Sequence, residues 1–220
     1  MRPPVPRLLA ITAPAGGEPG DEAAAGPDAW LDAWLEALAT AGVDGVQVRR
    51  KELADRALLA LVERARSLLS RSTALLVNGR LDVAFAAGAD GVHLPSSGLP
   101  TGEVRRLADS LGSELLVGRS THHPDEVARA RDEGADYVTF GPVYPTPGKA
   151  RFGEPPGLAG LERACAVGLP VLALGGVDSG RLAAVAAAGA AGAAGIRMFA
   201  RPEELPGLVA AAFGAFRRGG

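Results

Sequence analysis

The sequence predicts an α/β protein of the (β/α)8 TIM-barrel class, and three observations support this prediction. The chain has 220 residues, which suits one such barrel, since these domains need roughly 200–250 residues. Short apolar runs alternate with amphipathic stretches at intervals of roughly 25 residues, the spacing typical of strand and helix units. A similar glycine-containing turn recurs between these units. We therefore expect a single barrel domain over residues 1–220.

Eight short apolar runs are the predicted strands. They are Arg7–Thr12, Gly45–Arg50, Thr73–Asn78, Gly91–Leu94, Glu114–Ser120, Tyr137–Gly141, Pro170–Gly176 and Gly192–Met198. Amphipathic stretches rich in Ala, Leu and Arg lie between them as predicted helices, among them Asp55–Leu69, Leu81–Ala87, Thr101–Leu111, Pro124–Glu133 and Ser179–Ala188. Parallel strands joined by helices form either a closed barrel or an open doubly wound sheet. Eight regular units without an inserted domain favour the barrel.

A short sequence repeat marks several of the predicted turns between a helix and the next strand. It reads Ala-Gly-Val-Asp-Gly-Val at 41–46, Ala-Gly-Ala-Asp-Gly-Val at 87–92 and Glu-Gly-Ala-Asp-Tyr-Val at 133–138. Ala-Gly-Ala-Ala-Gly-Ala at 188–193 is a degraded copy. Each copy places a glycine where the end of a helix needs a positive φ, and a strand follows at once. The repeat therefore supports the count of eight units.

Composition and charge exclude several classes of function. The chain has 23 basic and 25 acidic residues and no block of like charge, so we predict that it binds neither nucleic acid nor a membrane surface. The lone cysteine, Cys165, excludes an intramolecular disulfide and a cysteine-rich metal site, and its apolar helical surroundings predict a buried small side chain. The N-terminus has no apolar run long enough for a signal or membrane helix, so we expect a cytoplasmic protein.

Residues 15–27 form a segment rich in Gly, Pro, Ala and acidic residues after the first predicted strand. This composition is typical of a flexible loop. On a barrel the loop would lie at the carboxyl-terminal face, where active sites form. It is therefore either a lid over the site or a surface loop without a role.

Polar side chains follow most of the predicted strands, at the barrel face where active sites lie. After the second strand Gln47, Arg49 and Lys51 occupy alternate positions, so they share one side of an extended segment. An amide and two cations suit an anionic, hydrogen-bonding substrate. Asn78 ends the third strand and Ser120 the fifth. We predict that these five side chains bind the substrate.

A phosphate site is predicted at the ends of the last two strands. Gly175 and Gly176 precede a predicted helix, and Ile196 and Arg197 end the eighth strand. Glycines let backbone N–H groups approach an anion, and a helix N-terminus contributes its dipole. Barrels bind phosphate at this place. We assign these four residues to phosphate binding.

The Gly- and Pro-bearing connection after the sixth strand supplies two further candidates for substrate binding, Thr146 and Lys149. Lys149 is either a mobile phosphate clamp or an ordinary surface lysine. The strand-end residues as a set are hard to attribute to solubility alone, so this connection is predicted to belong to the site.

Together these motifs resemble the family that contains thiamine phosphate synthase and its sister thiazole tautomerase, from the second strand to the eighth. Family motifs of the type Gln-x-Arg-x-Lys, Asn-Asp-Arg, Gly-Val-His-Leu, Gly-x-Ser-x-His, Gly-Pro-x-x-x-Thr-x-Thr-Lys and Gly-Gly-Ile appear here in order, with Asn-Gly-Arg, Gly148 and Gly-Gly-Val as this chain's versions of the second, fifth and sixth. They stand at residues 47–51, 78–80, 91–94, 118–122, 141–149 and 175–177. The resemblance implies a barrel that acts in thiamine biosynthesis and binds a small thiazole phosphate.

The resemblance implies one of two activities. The synthase joins a hydroxymethylpyrimidine diphosphate to a thiazole phosphate and releases diphosphate with Mg²⁺ bound. The tautomerase shifts protons on a thiazole carboxylate phosphate and uses no metal. A third interpretation is a thiazole- or thiamine-phosphate binder or regulator without catalytic activity, and a homodimer is possible in each case.

The chain departs from the synthase pattern at the positions that hold Mg²⁺ in the family. Glycine stands at 79 and at 98, where the synthase carries the two aspartates that coordinate the ion, and Mg²⁺ needs such carboxylate oxygens. Gly148 replaces the second threonine of the diphosphate loop, and Arg197 replaces a small residue of the phosphate loop; it either pairs with a phosphate or partly fills its site. These departures favour a metal-free, cofactor-free tautomerase-like isomerase.

A histidine is the candidate acid and base for such an isomerase, because the ordinary pKa of imidazole, about 6.5, lies near working pH. His122 matches the histidine of the Gly-x-Ser-x-His motif, which the tautomerase branch uses in this role. His123 would then point away and cap or flank the following helix. His93 faces either the barrel interior or the helix layer.

Overall fold

Eight parallel strands form a closed barrel in the computed structural model, which describes residues 2–12, 27–146 and 154–216. Each strand pairs with the next along the chain. The first strand, β1 (Leu8–Ile11), also pairs with the last, β8 (Gly192–Gly195), with Leu8 opposite Ala193. The predicted (β/α)8 barrel is therefore confirmed, and the alternative of an open doubly wound sheet is excluded.

The strands are short, and an α-helix follows each of them. The other strands are β2 (Gly45–Val48), β3 (Ala74–Asn78), β4 (Gly91–Leu94), β5 (Leu116–Thr121), β6 (Tyr137–Phe140) and β7 (Val171–Leu174). The helices are α1 (Pro27–Ala41), α2 (Asp55–Leu68), α3 (Leu81–Ala86), α4 (Thr101–Ser110), α5 (Pro124–Asp132), α6 (Gly157–Cys165), α7 (Leu182–Ala187) and α8 (Leu205–Ala215). None of the helices in the described ranges is long and apolar enough to cross a bilayer.

Successive residues of a strand face opposite sides of the sheet, so the strands contribute to two apolar layers, one inside the barrel and one between the barrel and the helices. Leu9, Leu76 and Leu116 belong to a fully buried cluster inside the barrel. The alternate residues pack outward against the helices in a larger buried cluster. Cys165 is half-buried beside this outer layer. Burial raises the pKa of its thiol to about 11, which does not suit a nucleophile.

An aspartate in the repeated turn sequence ties pairs of strands together. Asp44, Asp90 and Asp136 directly precede β2, β4 and β6. Their carboxylates accept hydrogen bonds from backbone N–H groups of the preceding strands, at Leu8 (2.8 Å), Leu75 (2.7 Å) and Val117 (2.7 Å) respectively. Each carboxylate also forms an ion pair with an arginine: Asp44 with Arg7, Asp90 with Arg66, and Asp136 with Arg105. We call these three residues the turn aspartates.

The fourth copy of the repeat lacks its aspartate. Ala191 stands at that position before β8, and only its backbone N–H bond to the carbonyl of Val171 remains, at 2.9 Å. The predicted positive-φ glycines are confirmed in all four copies: Gly42 (81°), Gly88 (63°), Gly134 (85°) and Gly189 (92°). All four copies of the repeat thus form the same glycine turn between a helix and the next strand. Three of the four also form a hydrogen bond from the aspartate carboxylate to the preceding strand.

Two predicted boundaries differ from the structure by three residues, and the other predicted strand and helix boundaries differ by two residues or fewer. The eighth strand ends at Gly195 and not at Met198, because a 3-10 turn follows at Arg197–Phe199 and folds Met198 back onto Gly195, which has no side chain to obstruct it. The helix predicted from Ser179 begins as a 3-10 turn, Ser179–Arg181, and α7 starts only at Leu182. Except for Pro27, where α1 begins, the predicted loop at 15–27 lies outside the described residues.

Loss of a turn aspartate should destabilise the fold. Asp136→Ala removes the acceptor of the Val117 N–H and the carboxylate that pairs with Arg105, so we expect the free energy of unfolding to fall by about 1–3 kcal/mol. Urea denaturation followed by circular dichroism measures this. Asp132→Ala is the matched control, because Asp132 is exposed and its ion pair is with the neighbouring, likewise exposed Arg131, and it should change stability by less than about 0.5 kcal/mol. Equal losses in the two variants would contradict the role.

Candidate active site

A large cavity opens at the carboxyl-terminal end of the barrel. Its volume is about 1330 Å³, above the range of roughly 300–1,000 Å³ that is typical of sites for one small ligand. Every strand contributes to its wall, either directly or through the loop that follows it. The cavity therefore lies where barrel enzymes carry their active sites.

The structure brings together the residues predicted after β2 and β3. Arg49, Lys51 and Asn78 line the cavity. Gln47 is buried directly beneath, with 1% of its surface exposed, and its side-chain amide donates to the Asn78 carbonyl oxygen at 3.1 Å. The backbone of Arg49 is fixed by its N–H bond to the Thr12 hydroxyl at 2.7 Å. Oε1 of Gln47 is buried without a partner among the described residues.

The two adjacent histidines separate as predicted. His122 lines the cavity, and its Nδ1 donates to the Gly141 carbonyl oxygen at 2.5 Å, which leaves Nε2 for a ligand. Its backbone N–H donates to Glu126 at 2.7 Å. His123 is the N-cap of α5, and its ring accepts a bond from the Asp125 N–H at 3.3 Å. Only His122 therefore belongs to the cavity.

His93 faces the barrel interior, which decides between the two orientations that the sequence allows. It is 2% exposed and bonds to Tyr137 on one side and Ser120 on the other. Ser120 lines the cavity, and so does Thr139, whose hydroxyl lies 3.4 Å from Nε2 of His93. His93 thus supports the cavity floor from below.

The predicted phosphate residues Gly175, Gly176, Ile196 and Arg197 all line the cavity. The glycines also have a local structural reason. Both have positive φ, and a Cβ at Gly176 would lie 2.6 Å from the Cβ of Tyr144. The close approach of the β6–α6 connection therefore accounts for these glycines independently of any anion.

The connection after β6 contributes one of its two predicted residues to the cavity within the described residues. Thr146 lines the cavity, and its hydroxyl oxygen is buried without a partner in that part of the chain. Lys149 lies outside the described residues. The Thr146 hydroxyl is thus a polar group available to a ligand.

Thr139, Arg181 and Arg201 are among the residues of the cavity wall that sequence reasoning missed. Arg181 donates to the Gly176 carbonyl and stacks on the Tyr144 ring, with its guanidinium carbon 4.5 Å from the ring centroid. It was hidden in the predicted helix at 179–188. Thr139 alternates with buried apolar residues of β6, and that alternation could have identified it.

Positive charge dominates the wall of the cavity. Among the described lining residues five are cationic (Arg49, Lys51, Arg181, Arg197 and Arg201) and three are acidic (Asp178, Glu203 and Glu204). Arg201 pairs with Glu204 at 2.6 Å, and Arg181 lies 3.6 Å from Asp178. Arg49, Lys51 and Arg197 form no ion pair with a described residue. The electrostatics therefore favour anionic ligands.

The residues present do not fit the Mg²⁺ site that the resemblance attaches to a synthase. Gly79 and Gly98 offer no oxygen from a side chain, and a Cβ at Gly98 would lie 3.0 Å from Pro95. Asp82 is bound by Arg80, which holds its pKa below the ordinary value, and Asp90 is a turn aspartate. The described ranges contain no group of three or more His, Cys, Asp or Glu side chains that could hold a metal ion.

Comparisons with known proteins identify the family. A family model described as thiamine monophosphate synthase matches residues 22–199. A protein of Geobacter sulfurreducens named as a putative thiamine-phosphate synthase is 47% identical over 69% of this chain and 71% of its own length. The thiamine-phosphate synthase of Gloeobacter violaceus is 43% identical over 81% of this chain, but the match spans only 52% of that protein.

A solved structure agrees with these relatives. The thiamine phosphate pyrophosphorylase from Pyrococcus furiosus superposes with a TM-score of 0.79 and 25% identity, covering 95% of this chain and 96% of that one. The tautomerase-like isomerase predicted from the sequence is wrong, because the relatives carry the synthase name. That prediction gave too much weight to the glycines at 79 and 98, which bear on metal binding and not on the reaction itself. By the extent of the family match, this chain belongs to the thiamine monophosphate synthase family.

Proposed function

We propose that the chain is a thiamine-phosphate synthase, a transferase that joins a hydroxymethylpyrimidine diphosphate to a thiazole phosphate. The observation that carries the proposal is the cationic wall of the cavity, in which Arg49, Lys51 and Arg197 form no ion pair with a described residue. A condensation of a diphosphate with a phosphate brings two such anionic substrates into the site, whereas an isomerisation brings one. The family membership and the names of the relatives support the same reaction.

The cations of the cavity form two groups, one for each anionic substrate. Arg49 and Lys51 follow β2, while Arg197 follows β8, and β1 lies between these strands in the barrel. We assign the diphosphate to the first group and the thiazole phosphate to Arg197 with Gly175 and Gly176. Guanidinium groups suit both, because their paired N–H donors match phosphate oxygens.

The transfer forms one C–N bond and breaks one C–O bond. The ring nitrogen of the thiazole attacks the methylene carbon with its lone pair, and the C–O electrons leave with the diphosphate. The nucleophile carries no proton that must be removed, so the site's main task is to hold the two substrates together and to stabilise the departing charge. Arg49 and Lys51 supply that stabilisation.

We assign the roles of the remaining residues on the same basis. The orphaned Oε1 of Gln47 accepts a hydrogen bond from an amino group of the pyrimidine, and Asn78 holds the amide in place. Thr146 donates from its unpartnered hydroxyl. Nε2 of His122 accepts a hydrogen bond from the substrate, because in the neutral ring the proton lies on Nδ1, which donates to Gly141.

The reaction should proceed without a divalent cation. Purified protein given both substrates should release diphosphate and form thiamine phosphate in equal amounts, and EDTA should leave most of the rate, because cationic side chains take the place of the absent carboxylate-bound ion. A coupled diphosphate assay with product chromatography measures this. Product only with Mg²⁺ would contradict the metal independence alone, and no product at high enzyme concentration, with or without Mg²⁺, would contradict the synthase.

Arg197 should determine affinity for the thiazole phosphate. Arg197→Met keeps a long side chain and removes the charge, so we expect KM for the thiazole phosphate to rise about tenfold, the effect of losing one charged hydrogen bond. Arg129→Met is the matched control, because Arg129 is exposed on α5 away from the cavity. An unchanged KM in Arg197→Met would show that this arginine only fills space.

His122 should contribute to turnover without being essential. His122→Asn removes the Nε2 acceptor, so kcat should fall about tenfold. His123→Asn is the neighbouring control, and since asparagine also caps helices well, its kcat should not change. A complete loss of activity in His122→Asn would contradict the acceptor role and indicate an obligatory proton transfer.

A further inference from the structure

A chain of three polar side chains, Tyr137, His93 and Ser120, runs from the buried interior of the barrel to the cavity floor. Nδ1 of His93 is 2.9 Å from the Tyr137 hydroxyl, and Nε2 is 2.9 Å from the Ser120 hydroxyl. His93 and Tyr137 are 2% and 0% exposed. Two buried polar groups in the interior of a barrel are costly unless each hydrogen bond is satisfied. The directions of these bonds can therefore be worked out.

The imidazole of His93 is neutral, so it has one donor nitrogen and one acceptor nitrogen. Burial, reinforced by the charges of Arg119 and Arg49, lowers the pKa of His93 to about 3. No carboxylate bonds to the ring among the described residues, and its hydrogen-bond partners there are three hydroxyl groups. Which nitrogen carries the proton is decided by those partners.

Tyr137 decides the tautomer. Burial raises the pKa of its phenol, so the hydroxyl keeps its proton and must donate it. Nδ1 of His93 is the hydrogen-bond partner of this hydroxyl within the described ranges. If Nδ1 carried the proton, the phenol hydrogen would be buried without an acceptor, which is unfavourable. Nδ1 therefore accepts, and the imidazole proton lies on Nε2.

The position of Tyr137 depends on a glycine of the neighbouring strand. A Cβ at Gly118 would lie 2.2 Å from Cζ of the Tyr137 ring and 2.4 Å from its hydroxyl oxygen. Gly118 stands opposite Tyr137 in the β5–β6 pairing. The absence of a side chain at 118 thus gives the phenol room to reach His93.

With the proton on Nε2, the bond between His93 and Ser120 has a fixed direction. Nε2 donates to the Ser120 oxygen, so the Ser120 hydrogen is free to point elsewhere. Ser120 lines the cavity, whose wall is cationic. We propose that Tyr137 and His93 are positioning residues that hold the Ser120 hydroxyl as a hydrogen-bond donor to a phosphate oxygen of the ligand. The identity of that ligand as a diphosphate rests on the proposed function, but the direction of the bonds does not.

The tautomer can be observed directly in the full-length protein. The chain has three histidines, and long-range ¹H–¹⁵N NMR of protein labelled with ¹⁵N-histidine distinguishes a protonated from a bare ring nitrogen. We expect His93 to be protonated at Nε2 alone from pH 6 to pH 8, a range well above its pKa of about 3. A proton on Nδ1, or on both nitrogens, would overturn the proposal whatever the activity of the protein.

Coupling between the residues tests the consequence for the ligand. Inorganic diphosphate is the probe, titrated by calorimetry into the wild type, Tyr137→Phe, Ser120→Ala and the double variant. Each single change should weaken binding about three- to tenfold, and the double variant should be no weaker than Ser120→Ala, because both changes remove the same bond. Additive losses would overturn the proposal.

Tyr144→Phe is the matched control, since it makes the same chemical change at the second of the chain's two tyrosines. It should leave the His93 signals unchanged. If Tyr137→Phe does not fold, the wild-type tautomer and the binding of Ser120→Ala still decide the matter, and wild-type affinity in Ser120→Ala would overturn the donor role. Failure of the synthase assay with the expected tautomer and coupling would refute only the proposed function.

Discussion

The architecture depends on the carboxylates of the turn aspartates, which bind the amino ends of paired strands. Asp44 joins β1 to β2, Asp90 joins β3 to β4, and Asp136 joins β5 to β6. A shift of register by one residue turns every side chain of a strand to its other face. By holding the register at one end of the barrel, these bonds determine which side chains face inward at the other end, where His93 and Ser120 lie.

The inward-facing residues form two kinds of layer. Leucines such as Leu9, Leu76 and Leu116 fill the barrel near its amino end, as the burial of apolar surface requires. Nearer the mouth the layer is polar, and it is stable only because His93 and Tyr137 satisfy each other and Ser120 takes up the remaining donor. Through these hydrogen bonds the buried Tyr137 and His93 act on the Ser120 hydroxyl at the cavity floor. Neither the phenol nor the imidazole is itself exposed there.

The regular spacing of apolar runs and the glycines of the repeated turn predicted most of this fold. Both signals are local, because they depend on residues that are near one another in the sequence. The end of β8 was mispredicted because Ile196 and Met198 alternate like strand residues, while Met198 packs back onto Gly195. Arg181 was missed since its approach to Tyr144 joins loops distant in sequence. His93 could not be oriented from sequence, because either face of β4 accepts a buried histidine until the register is known.

The misjudged activity has a physical explanation in the charges of the cavity. A departing diphosphate needs positive charge nearby, and a metal ion held by carboxylates is one way to supply it, while guanidinium and ammonium groups are another. Gly79 and Gly98 offer no carboxylate for the first, whereas Arg49, Lys51 and Arg197 line the cavity and form no ion pair with a described residue. In the proposed synthase these cations therefore take the place of the metal ion, so the loss of the two carboxylates changes the means of binding the leaving group and does not by itself indicate a different reaction.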